Sequence, residues 1–178
     1  MAEAGVLHED DRVELFDGQI VVMTPIGSRH AATVDRLNRL LSQRTGDHAI
    51  VRVQNPIVVS RYREPQPDVC LVRPRDDFYS RAHPRADDVL LIVEVAETSG
   101  QDDRARKLPQ YANASIPEAW LVDFEGDLIE VHREPGAEGY RDVRVLERGD
   151  TLAPLAFPAA AISVDEVLGP EDDSRSNP

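Results

Sequence analysis

The sequence runs to 178 residues, with 41% hydrophobic and 30% charged side chains and a formal net charge of −13; this is the profile of one folded domain with a sizeable core, not of a disordered or fibrous chain. No stretch approaches the ~20 apolar residues that span a bilayer, the start lacks the basic-then-apolar pattern of a secretory signal, and a single cysteine, Cys70, permits no internal disulfide, so no membrane association and a cytoplasmic location are expected. The acidic balance weighs against tight non-specific binding of nucleic acid, which depends on Lys and Arg displacing counterions, and suits a site that holds metal through carboxylates.

In chain order, "VELFDGQIVVMTP" (13–25) reads as a hairpin turning at Asp17-Gly18 and ended by Pro25. Ser28 is placed to cap a helix in which Val34, Leu37 and Leu41 recur at helical spacing until Gly46. "HAIVRVQNPIVVSRY" (48–62) is β-branched and predicts one bent strand or two, confined to an edge or bulge by Pro56. "PDVCLVRP" (67–74) predicts a short buried strand, "DDFYSRAH" (76–83) a helical turn, and "DDVLLIVEVAET" (87–98) a central strand covered on both faces.

A helix is expected over "QDDRARKLPQYA" (101–112), interrupted by Pro109, so that it either begins only a few residues earlier or kinks there. Strands follow on both sides of Glu125-Gly126-Asp127 and at 140–147, then a short helix near Val164 to Leu168. The expected architecture is mixed α/β, a central mixed sheet flanked by helices with added hairpins. It forms a single domain over 1–168, with 169–178 a disordered acidic tail.

Charges within or beside apolar strands point to chemistry, because an uncompensated buried carboxylate is costly. Asp68 opens one strand after Pro67, where it reads either as a turn residue or as a functional carboxylate. Glu94 interrupts "LLIVEVA" after five apolar residues, where it is either a salt-bridged strand residue or a ligand. Lys107 is the only lysine in the chain; every other Lys or Arg is arginine. Helical spacing sets Arg104, Lys107 and Tyr111 on one side of their helix and Ala105, Leu108 and Ala112 on another. His30 shares the core-facing side of Val34, Leu37 and Leu41. Gln66, held extended by Pro67, is placed to hydrogen-bond a phosphate or the lysine. His8, His48, His83 and His132 form no metal-ligand spacing with one another or with Cys70, which reads as a small buried hydrophobe.

Taken in order, "VELFDGQIVVMTP", "SRH", "EPQPDVCLV", "LLIVEVAETS", "KLPQYA" and "EAWLVD" resemble a large bacterial family of restriction-endonuclease-like proteins with the PD-(D/E)xK fold. The resemblance implies a Mg²⁺-dependent endonuclease acting on DNA, with Mn²⁺ as a substitute ion, the metal held by Asp68, Glu94 and the backbone carbonyl of Val95, and Lys107 assisting the attacking water. The standard motif sets its lysine two residues after the Glu, on the same strand face; Ala96 stands there. The family takes its lysine from the following helix instead, and Lys107 is the matching position. His30 and Glu14 match further family positions with a candidate catalytic role or, equally, a structural one. Gln66 and Arg104 are the candidate substrate contacts. A homodimer is expected, since nucleases that cut two strands often pair their sites. The competing expectation is a catalytically silent binding or regulatory module that keeps this fold.

Overall fold

A computed structural model describes residues 13–16, 19–22, 27–96, 101–124 and 126–170, with the side chains of 13–22 and 101–106 outside the description. Its centre is a six-stranded mixed sheet in the order β3-β4-β5-β6-β7-β8. These strands are Ile50–Val53, Val69–Val72, Val89–Ala96, Glu118–Asp123, Leu128–Gly136 and Gly139–Glu147. All pairings are antiparallel except β5 with β6. A parallel pair needs a crossover, and helix α2, Gln101–Asn113, supplies it. All eight residues of β5 are buried, as its apolar run requires of a strand covered on both faces.

Alternation along the strands divides the core in two. Val69, Leu71, Leu91 and Val93 pack with Val34, Leu37 and Leu41 of helix α1, Ser28–Thr45, and with Val164, Val167 and Leu168 of helix α3, Val164–Leu168. Cys70, Ile92, Ala119 and Ile116 pack on the other side with Tyr111 of α2. Ahead of the sheet, β1 (Val13–Phe16) and β2 (Gln19–Val22) pair with Phe16 opposite Gln19, the register that a two-residue loop imposes; the Asp17-Gly18 turn itself lies outside the described residues. Two-residue strands β9 (Thr151–Leu152) and β10 (Ile162–Ser163) pair before α3.

The sequence expectations need four local corrections. Gly27, not Ser28, is the N-cap of α1, and no side chain caps that end; Gly46 does close it, at φ +52. Within 48–62 only Ile50–Val53 forms a strand, on the sheet edge, because Gln54 adopts φ +49 and turns the chain away. Residues 76–83 are not a helical turn: Phe78 and Tyr79 both take positive φ, and successive left-handed residues cannot continue a right-handed helix. Finally, α2 begins at Gln101, well before Pro109, and runs through it, forgoing the hydrogen bond that the proline nitrogen cannot donate. The expected disordered tail falls largely on 171–178, outside the described residues.

Candidate active site

The strands deliver polar groups to one end of the sheet. Val69 pairs with Val93 and Cys70 with Ile92; continued one residue beyond β4, this register sets Asp68 opposite Glu94. Val53 pairs with Val69, so Gln54 comes opposite Asp68 in turn, and its amide donates to the Asp68 carbonyl at 3.1 Å. Opposed side chains of an antiparallel pair share a face. For this row it is the face covered by α2, where Cys70, Ile92 and Tyr111 pack.

Three groups fix the Asp68 carboxylate. The Val95 amide donates to Oδ2 at 2.9 Å, Gln54 Nε2 donates to Oδ1 at 3.3 Å, and His30 Nε2, from the first turn of α1, lies 3.1 Å from Oδ2. Glu94 is held from α2. The Tyr111 hydroxyl donates to its Oε1 at 2.5 Å, and Lys107 Nζ stands 4.0 Å from that same oxygen. Residues four apart lie one above the other on a helix, so one face of α2 carries both groups to one carboxylate. Asp68, Glu94 and Lys107 are 9, 8 and 8% exposed, a degree of burial at which charges require partners.

Of the residues singled out in the sequence, the structure brings His30, Asp68, Glu94, Val95 and Lys107 together. Val95 contacts Asp68 through its amide. Gln66 is half-buried in the segment leading to Asp68. Glu14 lies on β1, opposite Val21, and Arg104 on α2; both side chains lie outside the described residues. Sequence reasoning missed Gln54: "RVQNP" reads as continuing strand, and its one local signal is the Asn-Pro pair that follows. Cys70 is buried as expected, and burial pushes its thiol well above the usual range, opposed by Arg52 and reinforced by Glu94.

Chemically, the site offers hard oxygen donors: two carboxylates and the peptide carbonyls of adjoining strand ends. Among the described residues no group of three His, Cys, Asp or Glu is arranged so that all three could hold one metal ion. Two carboxylates and peptide carbonyls are the hard oxygen donors that an ion such as Mg²⁺ takes while it retains water. A cleft of about 330 Å³ lined by Val131, Arg133, Leu146, Leu152 and Leu155 contains none of these residues.

Comparison with known proteins bears on the fold and the family. A crystal structure of a protein from Anabaena variabilis described as a "putative nuclease belonging to DUF820" superposes with a TM-score of 0.73 at 13% sequence identity, covering 93% of this chain and 94% of that one. No curated relative matches the chain. Among the described residues, no helix is long and apolar enough to cross a membrane. Residues 2–165 match the model of the Uma2 family, described as "Putative restriction endonuclease", and over that span the chain belongs to this family.

Proposed function

We propose that the chain hydrolyses phosphodiester bonds of DNA with the aid of Mg²⁺, or Mn²⁺ in its place, held by Asp68, Glu94 and the carbonyl of Val95. What supports this reading most is the approach of Lys107 Nζ to Glu94 Oε1, 4.0 Å: α2 carries an ammonium to the strand carboxylate whose own motif position is filled by Ala96. The bound ion would lower the pKa of a water and neutralise charge on the phosphoryl group.

The chain's own residues do the rest. Tyr111 fixes the rotamer of Glu94, while His30, Gln54 and the Val95 amide fix Asp68, the kind of outer support that orients ligating carboxylates. Lys107 orients the attacking water and stabilises the charge that develops in the transition state. His30, in the first turn of α1, and Glu14 are further candidates for moving the water's proton, and Gln66 and Arg104 for contacting substrate phosphates. A symmetric pair of chains would bring two such centres to one duplex.

The test is cleavage of plasmid, single-stranded and branched DNA by purified protein with Mg²⁺ or Mn²⁺. Activity is expected with one of these substrates, and Asp68→Ala and Lys107→Ala should each abolish it with the fold intact. Activity that survives both changes would refute the site. The net charge of −13 favours a second reading, a module that keeps the fold without turnover; it predicts normal folding and no cleavage of any of these substrates.

A further inference from the structure

Arg52 is the inward-facing arginine that the site described above leaves unused. It pairs with Cys70, and Cys70 with Ile92, so this row lies two pairs further into the sheet than Gln54, Asp68 and Glu94, on the same face. Two residues along a strand is about 7 Å. The Cys70 thiol lies in the field of both the Arg52 guanidinium and the Glu94 carboxylate, which sets the two charges around one side chain.

Most other arginines with inward or partly buried side chains have acidic or carbonyl partners. Arg133 pairs with Glu118 at 2.7 Å, Arg148 with Asp127 and Asp165 at 3.2 Å each, and Arg36 reaches the Leu168 carbonyl. Arg75 makes a two-point contact with Asp77 at 2.8 and 2.6 Å. Arg52 is half-buried on its strand, yet its Nε is buried with no hydrogen-bond partner among the described residues. Its described contact is the Tyr79 ring, 5.9 Å from the guanidinium. Arg75 packs on that ring too, at 4.3 Å.

A desolvated donor without an acceptor costs stability, and a guanidinium is the side chain best matched to two oxygens of a phosphate. We infer that Arg52 is a substrate-positioning residue that binds a non-bridging oxygen of a DNA phosphate next to the one cleaved, with Tyr79 holding the guanidinium in place. The inference rests on the phosphodiesterase reading above. It assigns Arg52 to substrate binding and leaves the metal to Asp68 and Glu94.

The experiment follows binding of a short labelled duplex by fluorescence anisotropy, with Ca²⁺ in place of Mg²⁺, between about 50 and 200 mM salt. Arg52→Gln should bind about tenfold more weakly, and its slope of log K against log salt should be shallower by about 0.9, one phosphate contact. Its melting temperature should not fall below that of the wild type, and its calorimetric Mn²⁺ affinity should match it. Arg52→Lys, which keeps the charge and loses the fork, should keep the slope and bind several-fold more weakly; if the glutamine variant does not fold, this loss carries the test. Wild-type affinity and slope in Arg52→Gln, or wild-type affinity in Arg52→Lys, would overturn the assignment and leave Arg52 a structural cation. If the wild-type protein neither binds nor cuts DNA, the phosphodiesterase reading fails first and takes this one with it.

Discussion

The Tyr111 hydroxyl donates to Glu94 Oε1 at 2.5 Å from a side chain with no exposed surface. A hydrogen bond to a buried charged group is worth about 1.5–3 kcal/mol, so Tyr111→Phe should destabilise the fold by about that much in chemical denaturation. Loss of an outer-shell partner lowers metal affinity or activity about 10- to 100-fold, and the variant should show such a loss in Mn²⁺ affinity or in cleavage per folded molecule. A Tyr111→Phe protein that matched the wild type in stability, affinity and cleavage would show that this contact does not position Glu94.

Lys107 is the one lysine in a chain otherwise furnished with arginine. A compact ammonium on a flexible stem can settle against a water and a carboxylate, whereas a planar guanidinium needs two acceptors in its own plane. Lys107→Arg should therefore fold normally and cleave about 10²-fold more slowly or worse. Full activity in single-turnover assays would make the lysine an accident of composition.

Much of this arrangement could be read in the sequence because it rests on short-range regularities. Val34, Leu37 and Leu41 announce a helix by spacing, the apolar run ending at Ala96 announces a doubly covered strand, and Pro67 sets Asp68 just ahead of β4. The pairings that complete the site are long-range, and no local pattern carries them. Gln54 reaches Asp68 only because the chain leaves the sheet at a left-handed residue, and the Tyr111 hydroxyl finds Glu94 only once α2 is laid across β5. β9 and β10 escape notice because two residues are too few to display a period. The cap of α1 shifts from Ser28 to Gly27 because the backbone there is already extended, with Gly27 at φ −72 and ψ 158.

Glu118 anchors the far end of the sheet. Its fully buried carboxylate accepts from Trp120 Nε1 at 3.0 Å, Arg133 Nε at 2.8 Å and the Leu155 amide at 2.6 Å. Glu118→Ala leaves those donors unmatched and should cost about 3–5 kcal/mol, measured by urea unfolding. Faster hydrogen exchange should appear at the Leu155 amide, while Mn²⁺ binding per folded molecule stays unchanged.

The docking of α3 should weaken in acid. The Ser163 amide at 2.9 Å from Oε2, aided by the Ser163 side chain and by Arg44, holds the Glu166 carboxyl below its usual range; the Gly149 amide and Arg148 do the same for Asp165. Groups with a depressed folded pKa contribute stability that is complete above their unfolded values, about 4, and is lost as pH falls through the folded ones. Amide exchange across Val164–Leu168 should therefore rise, beyond its intrinsic pH dependence, as pH drops below about 4. Glu166→Gln should flatten that acid limb, and an acid limb unchanged in Glu166→Gln would contradict the assignment to this cap.

The most direct test of the central claim needs no knowledge of the substrate: calorimetric titration of Mn²⁺ into the wild type, Asp68→Asn and Glu94→Gln, each first shown to be folded. Saturable binding in the wild type, lost in both variants, is the expected result. No binding by the wild type, or equal binding by all three, would contradict a metal centre built on Asp68 and Glu94.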